Sequence, residues 1–256
     1  MIFGKRLFIM ASGRREIKRY EGGTGLKLLV VIPAYNEEAS LTSTVRELRE
    51  KAPGVDFIVV NDGSGDRTGE LCREAGYPLL DLPANLGLTG AFQTGVRYAC
   101  EQGYDAVLQL DADGQHDPAF ILPMMEKMEK ENLDLVLGSR FLTEKRPRSL
   151  RMAGNALIEG AVRLTTGQRM TDPTCGMRMY GSRVMPHMAY SPLARPEPDT
   201  LAYLIRCGAR AGESPVSIRE RMAGTSYLSL SRSFRYMAQM GINIFVLQWV
   251  MKREKL

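Results

Sequence analysis

The chain has 256 residues, with 34 Lys+Arg against 29 Asp+Glu and a formal net charge of +5. Its 44% hydrophobic and 25% charged residues are the balance of a folded globular protein, which excludes a largely disordered chain. No stretch reaches the roughly 18 apolar residues of a membrane-spanning helix, which excludes a polytopic transporter. The charge is unevenly placed. Residues 1–27 hold 7 basic and 2 acidic side chains, residues 28–205 hold 18 and 24, and residues 206–256 hold 9 and 3. A nucleic-acid binder spreads positive charge over its binding domain. An acidic body with basic ends suits an anionic bilayer instead, so no nucleic-acid partner is expected. The four cysteines, Cys72, Cys100, Cys175 and Cys207, form no C-x-x-C pair and read as reduced thiols of a cytosolic protein.

Residues 1–26 read as a basic, Gly-rich extension outside the fold, with an apolar run too short and interrupted for a signal peptide. From Lys27 the pattern becomes regular. The run LKLLVVIPAYN predicts a buried strand, and Glu38–Lys51 an amphipathic helix with Leu41, Val45 and Leu48 on one face. Asp56–Val60 predicts a second strand, followed by the turn NDGSGD and a helix over Arg67–Ala75. A weaker third strand is expected over Pro78–Leu82 and a helix over Leu88–Gln102. Then come a strand over Ala106–Leu110, a helix over Pro118–Lys130 and a strand over Leu133–Leu137. Alternation of this kind implies an α/β fold, a mostly parallel sheet with helices on both faces. No repeat or low-complexity linker divides the chain.

In such folds ligands bind outside the carboxyl ends of the strands. The residues there are Pro33-Ala34-Tyr35-Asn36-Glu37, Asn61-Asp62-Gly63-Ser64, Asn85-Leu86-Gly87 and Asp111-Ala112-Asp113-Gly114-Gln115, rich in carboxylates and amides. Neither a G-x-G-x-x-G fingerprint nor a G-x-x-x-x-G-K-[ST] loop occurs, which disfavours dinucleotide dehydrogenases and P-loop NTPases. Asp111 and Asp113 stand one residue apart just after a strand. In extended backbone both carboxylates would project to one side and suit Mg²⁺ or Mn²⁺, with Gln115 adding an amide oxygen. A lone D-x-D is more often a solvated turn, and a single His116 beside it more often a hydrogen-bonded structural residue than a ligand. The other strand-end motifs favour the metal reading.

Five segments in order, VVIPAYNEE (30–38), VNDGSGDRT (60–68), NLGLTGAFQTG (85–95), LDADGQHDP (110–118) and GSR (138–140), resemble those of family 2 glycosyltransferases with the GT-A fold. Within that family the segments resemble those of polyprenyl-phosphate sugar synthases such as dolichyl-phosphate mannose synthase. The resemblance covers roughly residues 27–229, taken as the GT-A domain, and leaves 230–256 as a separate C-terminal segment. It implies that Pro33, Ala34, Tyr35 and Glu37 line the base and ribose pocket and that Asp62 bonds the base. It also implies that Asp111, Asp113 and Gln115 hold the divalent cation bridging the donor diphosphate, and that Arg140 reaches a phosphate. Asn85 and Gly87 join the donor side, although a helix cap and turn would explain both.

The same resemblance places the acceptor in the second half. Arg151 and Asn155 match an arginine and small polar residue that contact the acceptor phosphate, within a basic cluster that includes Lys145, Arg146 and Arg148. DPTCGMRMY (172–180) resembles a segment closing over the site, with Asp172 orienting the acceptor or capping a turn. Glu197 and Asp199 are candidates for a general base if the acceptor is a hydroxyl. A phosphate oxyanion would need none, and Asp199 equally suits a helix N-terminus. RMAGTSY (221–227) resembles a loop in which Arg221, Ser226 and Tyr227 close over the diphosphate, with Gly224 allowing close backbone approach. In the last segment Phe234, Met237, Met240, Ile244, Leu247 and Val250 form one helical stripe with Trp249 and basic flanks. The stripe predicts an amphipathic helix at a membrane interface, with a core helix or an interface with a small membrane-protein partner as the alternatives.

The expected activity is inverting, Mg²⁺- or Mn²⁺-dependent transfer of a sugar from a nucleotide-diphosphate donor to a polyprenyl phosphate or lipid-linked glycan. The expected location is peripheral, at the cytoplasmic face of the membrane. Extension of a cell-surface polysaccharide is the alternative within this class. Outside it stand a nucleotidyltransferase, disfavoured because PAYNEE carries no glycine-rich basic phosphate loop, and a non-catalytic nucleotide-sugar-binding module.

Overall fold

The computed structural model describes residues 25–147, 150–219, 237, 239–246 and 256 (for Leu150 and Arg151 the backbone alone). Among the described residues seven strands form one sheet: β1 (Leu28–Ala34), β2 (Asp56–Asn61), β3 (Leu79–Asp81), β4 (Ala106–Gln109), β5 (Leu135–Ser139), β6 (Arg178–Gly181) and β7 (Ala211–Pro215). Their order across the sheet is β3-β2-β1-β4-β6-β5-β7, and only β6 runs antiparallel to its neighbours. Among the described residues the α-helices are α1 (Leu41–Lys51), α2 (Thr68–Glu74), α3 (Gly87–Gln102), α4 (Ile121–Lys130), α5 (Leu150–Thr166), α6 (Met185–Tyr190) and α7 (Pro198–Arg206), with a further C-terminal helical stretch over 239–246.

The continuous apolar runs follow from burial on both faces. Leu28, Val30 and Ile32 of β1 face a core with Leu41, Val45 and Leu48 of α1 and Met124, Met125 and Met128 of α4. Leu29 and Val31 face the opposite core, with Phe92 and Val96 of α3, Ile158 and Val162 of α5 and Leu201 and Leu204 of α7. On this second face α3 comes so close to β1 that a Cβ on Gly95 would lie 2.4 Å from Val31 Cγ1.

The first five expected strands are all present, with shifted limits where side chains choose other partners. Helix α1 starts three residues late because the Glu37 carbonyl takes the Ser40 and Leu41 amides in a turn first. The helix expected from Pro118 opens as a 3₁₀ turn (Pro118–Phe120), where the Asp117 carboxylate accepts the Ala119 N–H. Strand β5 starts two residues late because Asp134 turns its carboxylate to Arg183 and Arg210.

Strands β6 and β7 have no counterpart among the sequence expectations. β6 carries Arg178, fully buried, and β7 reads AGESP, a composition poor in strand formers at the edge of the sheet. The C-terminal stripe also needs correcting. Where it is described, Met237, Met240 and Ile244 are buried in the α5–α7 core, and the face left to solvent carries Ile242, Phe245 and Val246. Phe234, Leu247, Trp249 and Val250 lie outside the described residues, as do residues 1–24. No helix of the described residues is long and apolar enough to cross a membrane.

Candidate active site

The loops at the carboxyl ends of β1, β2 and β4 enclose an open cleft of about 210 Å³, lined by Pro33, Ala34, Tyr35, Glu37, Asp62, Leu88, Ala91, Asp111, Ala112 and Asp113. Two of these loops are bonded together. Asn36, at φ +56°, donates its N–H to Ser64 Oγ and accepts the Gly65 N–H. Glu37 N–H donates to Thr68 Oγ1, and Glu38 N–H to the Asp66 carboxylate. This lattice fixes Tyr35 with half its surface exposed at the cleft. The Asp62 carboxylate accepts the Leu86 N–H at 2.7 Å and so ties in the loop after β3. Asn85 and Gly87 do not line the cleft. The Asn85 side chain accepts the Gly87 N–H at 3.0 Å, an Asx turn opening α3.

Asp111 and Asp113 converge by a route other than the extended backbone expected from sequence. β4 ends at Gln109, and the chain turns over 112–114 with Gly114 at φ +76°. The turn is held by the Gln115 N–H donated to Asp113 Oδ1 and by Thr44 Oγ donating to the Ala112 carbonyl at 2.9 Å. Gln115 does not line the cleft, and its amide Nε2 faces the Arg219 carbonyl at 3.4 Å. His116 is buried. Its Nδ1 accepts the Asp111 N–H at 3.3 Å, and its Nε2 stands 3.7 Å from Asp111 Oδ2. Across the same carboxylate, Gln109 Nε2 donates to Asp111 Oδ1 at 2.9 Å, while Gln109 Oε1 is buried without a hydrogen-bond partner. An orphaned buried carbonyl of this kind costs about 1–3 kcal/mol.

Beneath the turn, Arg219 and Lys51 both bind Glu47 and Asp117. Burial pushes the Asp117 carboxyl up, but the Ala119 N–H and the two cations outweigh it and hold the group below the ordinary carboxylate range.

The antiparallel direction of β6 brings the segment before it, Asp172–Met177, to this same edge of the sheet. Gly176 passes so close that a Cβ there would lie 3.2 Å from His116 Nε2 and 3.4 Å from Asp111 Oδ2. Arg140, at the end of β5, binds the fully buried Asp172 through Nε (2.6 Å) and Nη2 (2.9 Å). Burial lowers the Arg140 pKa, but the Asp172 carboxylate more than reverses this and raises it. Thr174 Oγ contacts Asp172 and donates to Asn155 Oδ1 at 2.9 Å, whereas Asn155 Nδ2 is buried with no partner. Burial pushes the Cys175 thiol up to about 12, so it is no nucleophile.

Arg140 and Asp172, expected from sequence to serve a donor phosphate and the acceptor separately, therefore bind each other. Arg146 of the basic cluster is likewise engaged within the fold, with Glu159 and the Thr171 carbonyl, each at 2.6 Å. Glu197 occupies the N-cap position of α7 without a side-chain capping bond. Asp199 is buried in the first turn, its Oδ1 accepting the Thr200 N–H at 2.7 Å. Arg148, Arg221, Gly224, Ser226, Tyr227 and the Arg151 side chain lie outside the described residues. The sequence assigns no site role to Gln109, Leu88, Ala91 or Thr174. Only Gln109 carries a signal, as the polar residue closing the apolar strand AVLQ.

The donor set fits a hard divalent cation. Among the described residues no group of three or more His, Cys, Asp or Glu side chains is placed to hold a metal. Two aspartates with substrate oxygens completing the shell are the usual arrangement for Mg²⁺.

Comparison with known proteins agrees with this architecture. Residues 29–192 match the model of Glycosyl transferase family 2. The chain is 32% identical over 219 residues to an undecaprenyl-phosphate mannosyltransferase of Micrococcus luteus, covering 80% of this chain and 88% of that protein. It is 27% identical to the polyprenol monophosphomannose synthase of Mycolicibacterium smegmatis, over 79% and 81%. Among solved structures, glucosyl-3-phosphoglycerate synthase from Mycobacterium tuberculosis with Mn²⁺, UDP-glucose and phosphoglyceric acid superposes with a TM-score of 0.62 at 18% identity. That superposition covers 87% of this chain and 79% of that one, and shows that the fold is shared. The sheet of mixed direction, the cleft at its carboxyl edge and the match over residues 29–192 lead to one conclusion: the chain is a GT-A-fold glycosyltransferase and belongs to glycosyl transferase family 2.

Proposed function

We propose that this glycosyltransferase moves a sugar from a nucleoside-diphosphate donor to a polyprenyl phosphate, with inversion at the anomeric carbon and with Mg²⁺ or Mn²⁺ as cofactor. The observation that carries the reading is the charge of the cleft. Glu37, Asp62, Asp111 and Asp113 line it, and no basic side chain does so among the described residues. A diphosphate would be repelled by these carboxylates unless a divalent cation lay between them. Asp111 and Asp113 are the residues to hold it. When bound, the cation supplies Lewis-acid stabilisation of the negative charge on the departing nucleoside diphosphate.

The chain's own residues do the rest. Pro33, Ala34 and the exposed Tyr35 ring offer an apolar wall for the nucleobase, and Asp62 offers a carboxylate to its N–H groups. On the acceptor side the free Asn155 Nδ2–H is a donor for a phosphate oxygen, with Arg151, Arg221 and Ser226 as further contacts. An acceptor phosphate oxygen forms the bond to the anomeric carbon as the bond to the diphosphate breaks on the opposite side. The nucleophile is already an anion, so neither Glu197 nor Asp199 has to take a proton. The names of the two relatives, an undecaprenyl-phosphate mannosyltransferase and a polyprenol monophosphomannose synthase, support this acceptor class. The exposed Leu157, Leu164, Ile242, Phe245 and Val246 support peripheral contact with the cytoplasmic membrane surface, where such an acceptor resides.

The test is a thermal-shift series with UDP-, GDP- and dTDP-sugars, with Mn²⁺ and with EDTA, followed by product analysis with a polyprenyl phosphate. Stabilisation by one nucleotide that requires the metal, loss of turnover in Asp113→Ala and an inverted anomeric configuration by NMR are expected. Equal nucleotide binding in EDTA would overturn the cation role, and release of pyrophosphate would reveal a nucleotidyltransferase.

A further inference from the structure

Gln109 is a polar side chain in a place that selects apolar ones. The other residues of its strand, Ala106, Val107 and Leu108, are fully buried, and Gln109 is itself 2% exposed. Its side chain makes one hydrogen bond, from Nε2 to Asp111 Oδ1, and leaves Oε1 buried and unpartnered. Reversing the amide would set Oε1 against the Asp111 carboxylate, so the negative charge of Asp111 fixes its orientation. An unbranched apolar side chain of similar length would fill the space and abolish the orphan. Gln109 therefore weakens the core, and its single hydrogen bond goes to Asp111.

The other oxygen of that carboxylate is bounded too. The Asp111 N–H is donated to His116 Nδ1, which leaves Nε2 of the ring facing Asp111 Oδ2 at 3.7 Å. Gly176 closes the space beside the same oxygen. Asp111 leaves the end of β4 held from both sides, whereas Asp113 is held by the backbone of its own turn.

We infer that Gln109 is a positioning residue that fixes the Asp111 carboxylate for the divalent cation, with His116 and Gly176 as the opposing wall. The inference rests on the reading of Asp111 and Asp113 as the cation's protein ligands. Partners that orient a metal ligand in this way typically change metal affinity 10- to 100-fold when replaced.

The test is Mn²⁺ titration of the full chain followed by EPR, in the presence of UDP and separately of GDP, with melting temperature measured alongside. In Gln109→Met the melting temperature should equal or exceed that of the parent, while the Mn²⁺ dissociation constant rises about tenfold or more. Gln109→Leu serves if the methionine variant does not fold. A parental Mn²⁺ constant in the Gln109 variant, with weakened binding in Asp113→Ala, would overturn the positioning role and leave the cation site standing. Parental binding in Asp113→Ala would overturn the cation reading, and this inference with it. A Gln109 variant that loses stability in step with metal binding would assign the residue to the core instead.

Discussion

Arg140 holds Asp172 with two parallel N–H···O bonds, Nε to Oδ2 at 2.6 Å and Nη2 to Oδ1 at 2.9 Å, and so ties the end of β5 to the segment leading into β6. The carboxylate is fully buried and the guanidinium mostly so, which makes each dependent on the other. Removing one partner of such a pair typically costs about 3–5 kcal/mol. Asp172→Ala is expected to lose stability on that order in urea denaturation. Because lysine lacks the fork, Arg140→Lys should retain only part of the pair's contribution. A double-mutant cycle with coupling below about 0.5 kcal/mol would contradict the pairing.

Gly63 sits at φ +65° where the loops after β2 and β3 cross, and a Cβ there would lie 2.6 Å from the Ala84 carbonyl carbon and 2.7 Å from the Asn85 nitrogen. Both obstacles are backbone, so they cannot swing aside. Gly63→Ala is expected to cost about 1–3 kcal/mol through strain and overpacking. It should also weaken donor binding, since Asp62 is displaced with it. A parental melting temperature and parental nucleotide affinity would refute this.

Asp134 is buried between Arg183, at 2.8 Å, and the backbone N–H of Arg210, also at 2.8 Å. Burial pushes its carboxyl up, but the hydrogen bonds and charge of Arg210, with Arg183, bring the folded-state pKa below the unfolded value. A depressed carboxylate contributes stability that is present above the unfolded pKa, about 4, and lost as pH falls through the folded pKa. Asp134→Asn should therefore lower the urea midpoint at pH 7, and its deficit should shrink as the pH falls below about 4. A deficit independent of pH would show that charge plays no part.

The solvent-facing residues Leu157 on α5 and Ile242, Phe245 and Val246 on the C-terminal helix adjoin, since a Cβ on Gly241 would lie 3.7 Å from Leu157 Cδ2. Transfer of one such side chain out of water is worth about 1.5–3 kcal/mol. Leu157→Glu and Phe245→Glu should each weaken sedimentation with phosphatidylglycerol vesicles about tenfold or more. Turnover of a short-chain, water-soluble prenyl phosphate should stay at the parental level. Unchanged vesicle binding in the double variant would refute the membrane surface.

By itself the sequence determined the parallel half of the sheet and the wall of the cleft that follows β1 and β2. There the signals are local: an apolar run such as Leu28–Ile32 is buried on both faces, and the loop following it delivers Tyr35 and Glu37 to the carboxyl edge. The tertiary structure decided the rest because the deciding contacts span long separations. β6 and β7 lack strand composition and exist because β5 pairs with both, which places Asp172 and Gly176 beside residues more than 30 and 60 positions away. Arg140 was legible as a cation at a strand end, but its counter-charge, Asp172, was not, since either partner alone reads equally well as a ligand contact. The C-terminal stripe shows the same limit. Its 3.6-residue period predicts a buried face, yet only packing on α5 makes protein, rather than lipid, the cover for Met237, Met240 and Ile244.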